Sequence, residues 1–278
     1  MSVPTGAAFY KMSGSGNDFI MVDARISSPG PIANPEVIRE VCARGTGVGA
    51  DGVVFLEQSK RAAVKLVYFN ADGSRADLCG NATLCTTRLS VELGLADRRG
   101  FEIETDSGLV SARIAGGLPE IDLQPVTEVV PAYTPIAAAS GEARIGFAQV
   151  GVPHLVVLCD QVETVDVAGR GRLLRNHPSL TAGANVNFVS RRADGGWSVR
   201  TYERGVEGET LACGSGAVAT AILLVAWGLA RSPVSLKTAS KKQLVARVLG
   251  RSSDWLGSLQ GEAKLVFSGQ LGELDGSR

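Results

Sequence analysis

Apolar and polar positions alternate with a period of two along several short segments, the signature of half-buried strands. Residues 64–70 and 198–204 alternate in this way, as do 101–105 with 109–114 and 234–238 with 244–248. Two further strand-like runs, 16–23 and 151–160, each start from a glycine turn, and 53–57 reads as a strand. Residues 35–43 switch to helical spacing behind Asn34, a good N-cap. The stretch 216–230 is apolar, carries no charge and is closed by Gly228. It falls short of the roughly 20 residues that span a bilayer, which makes it a core helix. The tail 262–271 alternates again and is expected to pair as a strand.

These segments occur twice. Cys79-Gly-Asn-Ala-Thr-Leu-Cys-Thr-Thr-Arg-Leu is answered by Cys213-Gly-Ser-Gly-Ala-Val-Ala-Thr-Ala-Ile-Leu, and the offset of 134 residues holds from 79–96 to 213–230. Gly80/Gly214, Thr86/Thr220, Leu89/Leu223, Val91/Val225, Gly94/Gly228 and Ala96/Ala230 are identical pairs. Each half runs strand, helix, strand, glycine-rich loop, helix, strands, which predicts two homologous α+β domains. We place them at 1–123, completed by a C-terminal strand at about 264–278, and at 124–263. The proline-, alanine- and threonine-rich segment 119–143 is expected to hold the crossing between them.

Composition narrows the function. The 278 residues are 45% hydrophobic and 20% charged, with 28 basic and 28 acidic side chains. Such a balance offers no basic field for nucleic acid or an anionic membrane, so a small-molecule partner is expected. The N-terminal residues lack the pattern of a signal peptide, and the expected location is the cytoplasm. Five cysteines with no Cys-x-x-Cys pair, and only two histidines, support neither a disulfide framework nor a metal site. Residues 47–52 fit G-x-G-x-x-G, yet a strand follows where a dinucleotide fingerprint needs a helix.

The chemistry sits at the repeated cysteines. In both halves a strand ends, a polar loop follows, and a cysteine opens a helix whose first turn is built from small residues. A helix N-terminus favours the thiolate, so a lowered thiol pKa is expected there. Gly80, Asn81, Gly214, Ser215 and Gly216 leave backbone N–H groups open to a bound carboxylate. One thiolate then acts as base while the opposite thiol acts as acid on the same carbon. Cys42, Cys85 and Cys159 lack this setting and read as core, while Asp72 and Asp77 read as loop caps.

Two long motifs give the pattern a family. Residues 69–81, Phe-Asn-Ala-Asp-Gly-Ser-Arg-Ala-Asp-Leu-Cys-Gly-Asn, and 202–216, Tyr-Glu-Arg-Gly-Val-Glu-Gly-Glu-Thr-Leu-Ala-Cys-Gly-Ser-Gly, resemble those of the diaminopimelate epimerases, which belong to the cofactor-independent amino-acid racemases and epimerases. Gly16-Asn-Asp-Phe19, Gly49-Ala-Asp-Gly52, Pro153-His154 and Asn185-Val-Asn-Phe188 add shorter matches, so the resemblance spans nearly the whole chain. It implies an α+β fold of two pseudo-symmetric domains, each a mixed sheet around a central helix, with the active site in the cleft between them. It also implies interconversion of LL- and meso-diaminopimelate without pyridoxal phosphate or metal, and homodimers are common in such families.

By motif, Cys79 and Cys213 become the acid/base pair, and His154 and Glu203 flank the reacting centre. Asn17, Asn70, Gly80, Asn81, Asn185, Glu203, Arg204, Gly214 and Ser215 bind the two amino-acid ends of the substrate. Arg204 suits a bidentate grip on the distal carboxylate. This chain departs from the family at Val152, where asparagine is usual, at the Ala82-Thr-Leu stretch after Asn81, and at Ser13, where histidine is frequent. The loop from Glu203 to Cys213 is one residue longer than the commonest form. Val152 keeps a related racemase acting on another amino acid as an alternative, and a non-catalytic two-domain amino-acid-binding protein is a third reading. Two thiols that share a carbon should also link to each other on oxidation, silencing the enzyme reversibly.

Overall fold

The computed structural model describes residues 6–26, 28–126, 128–251 and 254–272. Residues 1–5 and 273–278, into which the expected first domain and C-terminal strand extend, lie outside the described residues. The chain divides into two compact units, Met1–Ile121 with Gly261–Arg278, and Asp122–Gln260.

The first unit contains β1 (Ala8–Gly14), β2 (Asn17–Asp23), α1 (Pro35–Cys42), β3 (Gly52–Glu57), β4 (Val64–Asn70), β5 (Arg75–Ala76), α2 (Gly80–Glu92), β6 (Phe101–Thr105), β7 (Gly108–Ala115) and β8 (Leu118–Asp122). The second contains β9 (Val129–Val130), β10 (Glu142–Val150), β11 (Val152–Cys159), α3 (Val167–Arg175), β12 (Asn185–Arg191), β13 (Trp197–Glu203), β14 (Gly208–Thr210), α4 (Gly214–Ala226), β15 (Val234–Lys237), β16 (Gln243–Arg251) and β17 (Asp254–Gly261). The last strand, β18 (Ala263–Gln270), returns to the first unit and pairs antiparallel with β1.

The two sheets repeat one another. In the first unit the strands lie in the order β18-β1-β2-β3-β4-β6-β7-β8, with β2/β3 and β4/β6 parallel and the other pairs antiparallel. In the second the order is β9-β10-β11-β12-β13-β15-β16, with β11/β12 and β13/β15 parallel. Sequence alternation misses β1 and β10, the strands that open each sheet, and also β17, where Gly257 interrupts the apolar run.

Each sheet carries one helix on either face. α1 lays Val37, Ile38, Val41 and Cys42 against Ile20, Val22, Val53 and Phe55, with Asn34 Oδ1 accepting from Glu36 N–H at 2.8 Å as its cap. α3 does the same with Val167 and Leu174 against Leu155, Val157, Val186 and Phe188. The opposite face holds α2 or α4, and these are the central helices. Residues 81–87 of α2 are all buried, and α4 is buried from Gly216 to Leu224. An all-round buried helix has no solvent stripe, which is why neither shows a clear amphipathic period. Both stop at a glycine with positive φ, 71° at Gly94 and 72° at Gly228, so the repeat includes the helix ends.

Candidate active site

In the first unit, four segments bring their polar residues together at one end of the sheet: the starts of β2 and β3, the end of β4 and the start of α2. Cys79 is the N-cap of α2, in extended conformation and partly exposed, and its carbonyl accepts from Thr83 N–H and Oγ1 at 2.9 Å each. Two residues on, Asn81 is buried and donates through Nδ2 to Asn17 Oδ1 at 2.6 Å. Asn17 in turn donates to Asp51 Oδ2 at 3.0 Å. Asp51 also accepts from Asp18 N–H at 3.1 Å and from Arg44 at 2.8 Å. Asp18 is gripped by Arg44 and by the buried Lys11, both at 2.6 Å, and Lys11 also donates to the Gly49 carbonyl. Burial opposes ionisation of Asp18, yet the hydrogen bonds and charges of Arg44 and Lys11 hold its carboxyl below the ordinary value. Asn70 ends β4 and donates to Ser74 Oγ at 3.0 Å, in a turn tied by Asp72 Oδ1 to Ser74 N–H and Oγ.

In the second unit, Cys213 is the N-cap of α4 and its Sγ accepts from Gly216 N–H at 3.4 Å, with Ser215 Oγ 3.7 Å away. Glu203, at the end of β13, accepts from Thr210 Oγ1 at 2.6 Å and interacts with the Cys213 thiol. Gly214 opens α4 and is buried, while Ser215 is partly exposed. Asn185 opens β12 beside His154 on β11, and its Oδ1 accepts from Arg204 N–H at 2.8 Å. The Arg204 guanidinium donates to the Ala182 carbonyl at 3.1 Å, which leaves most of its five N–H groups for a ligand.

The electrostatics correct one expectation. The helix start does not dominate at Cys213: desolvation, then the charge of Glu203, push its thiol well above the ordinary value, against the opposing pull of Gly216 N–H and Ser215. Burial likewise raises the Glu203 carboxyl, with the Thr210 and Cys213 contacts opposing. Cys213 is therefore the thiol in this state, ready to give a proton. His154 is fully buried and its pKa is lowered to about 3, first by desolvation and then by Arg204, with the Val150 carbonyl pulling weakly the other way. It is neutral throughout the physiological range.

Sequence reasoning missed Asn187 and Thr201. Asn187 Nδ2 reaches His154 Nδ1 at 3.2 Å and the Leu155 carbonyl at 3.0 Å, while Asn187 Oδ1 accepts from Thr201 Oγ1 at 3.0 Å. Asn187 Oδ1 also explains Gly216, because a Cβ there would lie 2.2 Å from that oxygen and 3.1 Å from Cys213 Sγ. Cys42, Cys85 and Cys159 are buried in the cores, and none of the five cysteines forms a disulfide.

Comparison with known proteins agrees with the motifs. The diaminopimelate epimerase family profile matches residues 9–121 and 146–248. The chain is 47% identical to a diaminopimelate epimerase of Gemmatimonas aurantiaca, over 96% of this chain and all of that one. It is 39% identical to one from Archaeoglobus fulgidus, over 95% and 96% of the two chains. Among solved structures, a PhzF-family phenazine biosynthesis protein of Bacillus anthracis superposes with a TM-score of 0.74 at 15% identity, covering 98% of this chain and 99% of that one. A hydroxyproline epimerase from Agrobacterium vitis does so at 0.69 and 20%, covering 99% and 94%. These two likenesses concern the fold.

Proposed function

Because the chain belongs to the diaminopimelate epimerase family, we propose that it interconverts LL- and meso-2,6-diaminopimelate by two-base chemistry, with Cys79 and Cys213 as the acid/base pair. One sulfur takes the α-proton as the C–H bond breaks, and the other delivers a proton to the opposite face of the same carbon. The raised Cys213 thiol supports its role as the acid, which assigns Cys79 as the base for the stereoisomer whose α-hydrogen it meets. Solvent returns the two sulfurs to their starting protonation states.

The barrier is high, because an α-hydrogen beside an ionised carboxylate is barely acidic. Stabilisation of the developing charge falls to the N–H groups around Gly80-Asn81 and Gly214-Ser215, which are the open ends of α2 and α4. Asn17, Asn70, Asn185, Glu203 and Arg204 are proposed to read the ammonium and carboxylate groups of the substrate.

The observation that carries the reading is the repeat: each unit ends a strand, turns through a polar loop and presents a Cys-Gly pair at the start of its central helix. The test is exchange at the substrate α-carbon in heavy water. Deuterium should enter diaminopimelate with the wild-type chain and not with Cys79→Ala or Cys213→Ala. Exchange that survives both substitutions would falsify the two-thiol reading. Faster turnover of a single-centre amino acid than of diaminopimelate would move the substrate to the alternative that Val152 suggests.

We place the enzyme in the cytoplasm; among the described residues, no helix is long and apolar enough to cross a membrane. We also propose a homodimer. Its support is β18, where Leu265, Val266 and Phe267 are 40%, 52% and 46% exposed on a strand paired with β1. Sedimentation of Phe267→Lys checks it: a wild-type dimer that stays dimeric in the variant removes β18 from the interface.

A further inference from the structure

Asn187 has chemistry that the proposed reaction has not yet used. Its amide cannot be turned end for end, because Nδ2 faces the Leu155 carbonyl, which only accepts, and Oδ1 faces the Thr201 hydroxyl at 3.0 Å. The second hydrogen of that same Nδ2 points at His154 Nδ1, 3.2 Å away. A ring nitrogen that receives an N–H must present its lone pair, so the proton of the neutral imidazole is forced to the other nitrogen. That other nitrogen, Nε2, is buried and makes no well-formed hydrogen bond among the described residues, although the Val150 carbonyl draws weakly on the ring.

The other half of the molecule shows that the fold does not require this arrangement. By strand register, His154 opposite Asn185 corresponds to Phe19 opposite Gly52, and Asn187 opposite Thr201 corresponds to Val54 opposite Tyr68. Phe19, Val54 and Tyr68 are buried, and Phe19 meets Tyr68 edge to face at 6.0 Å. One position in the architecture is filled by an apolar cluster in the first unit and by a polar relay in the second. A polar relay that fold stability alone does not demand points to a ligand.

We infer that Asn187, itself held by Thr201, is a positioning residue that locks His154 as the Nε2–H tautomer, so that His154 is a hydrogen-bond donor and never a base toward a bound anionic group. The carboxylate of the substrate's reacting centre has that chemistry. The identity of that acceptor rests on the proposed epimerase activity, whereas the lock itself rests on the hydrogen bonds alone. Asn187 acts through His154 and is not itself a catalytic residue.

The test is the imidazole ¹⁵N spectrum of the full-length chain labelled in histidine. The sequence has two histidines, His154 and His177, and His177→Gln assigns them. Wild-type His154 should show a protonated Nε2 and an acceptor-type Nδ1. Asn187→Asp replaces the amide donor with an acceptor and should move the proton to Nδ1. Thr201→Val removes the donor to Oδ1 but leaves Nδ2 on the Leu155 carbonyl, so it should keep the wild-type tautomer. With diaminopimelate as substrate, Asn187→Asp should lower kcat about tenfold or more while KM stays within about twofold. A protonated Nδ1 in the wild type overturns the lock, and that measurement needs no variant to fold. A tautomer unchanged in Asn187→Asp, or switched in Thr201→Val, overturns it too, and a switched tautomer in Asn187→Asp with unchanged kcat overturns the positioning role. Spectra as expected in a wild-type chain that does not turn over diaminopimelate support the lock and count against the functional reading alone.

Discussion

The two central helices begin alike and are supported differently. α2 and α4 each open on Cys-Gly and end at a left-handed glycine, yet the residues beneath them have diverged. Beneath α2 lie Phe19, Val54 and Tyr68, packed for stability, with the polar work moved outward to Asn81, Asn17 and Asp51. Beneath α4 lie His154, Asn187 and Thr201, with Glu203 at the thiol. Where Ala82 follows the first turn of α2, Gly216 stands in α4, because the Asn187 oxygen occupies the space a methyl group would take. The repeat keeps the residues at the helix starts and changes those one layer below. The comparison teaches that a helix start alone does not set the acidity of the sulfur it carries: at Cys213, burial and the Glu203 charge outweigh it.

The largest effects should come from the shared feature. Cys79→Ala and Cys213→Ala are each expected to lower turnover by about 10⁴-fold, the upper range for loss of an acid or base in the transition state. Steady-state assays in both directions measure it, and a residue whose loss spares one direction would break the symmetry. Next comes the acid limb of stability, to which the second unit's polar layer adds a histidine component. His154 binds a proton at about pH 3 when folded and near 6.5 when unfolded. The unfolded chain therefore gains protons that the folded one refuses, so stability is whole above pH 6.5 and falls as pH drops toward 3. The loss is on the order of 5 kcal/mol. His154→Phe with Asn187→Val, which copies the first unit's apolar layer, should remove that component of acid sensitivity while abolishing activity. Urea titrations from pH 7 to 4 compare the two slopes.

A smaller effect separates the helix starts themselves. Gly216→Ala should cost about 1–3 kcal/mol by forcing Asn187 aside, whereas Ala82→Gly in α2 should cost about 1 kcal/mol or less. Thermal melts of the pair would show the contrast, and equal losses would mean the Asn187 oxygen yields. Smallest in energy but sharp in sign, Glu203→Gln removes a charge that raises the Cys213 thiol. Alkylation of Cys213 in a Cys79→Ala background should then be faster at a given pH, not slower.

Much of the architecture can be read from the chain because period-two alternation and the repeated cysteine segment are local signals. The Asn34 cap, the buried helix of residues 216–230 and the alternating tail that becomes β18 are of this kind. What was not legible depends on partners far along the chain. Asn187 sits in a motif where Asn185 draws attention, and nothing near it announces a contact with His154, 33 residues earlier. Its signal lies in the repeat: the first half places valine at the matching strand position, and a polar residue replacing it inside a core asks for a reason. The thiol of Cys213 misleads for the same cause. A helix start is visible in the sequence, but the desolvation and the Glu203 carboxylate that outweigh it are tertiary.

The return of β18 to the first unit sets an order of assembly. Residues 122–260 form one uninterrupted unit, while the sheet of the first gains its outer strand from residues 263–270. On the ribosome the second unit can complete itself as soon as its own residues have emerged, whereas the first, although its strands are translated earlier, must wait for residues 263–270 to arrive. Early termination should therefore spare the Cys213 half and leave the Cys79 half with an open strand edge, a product better suited to aggregation than to partial activity.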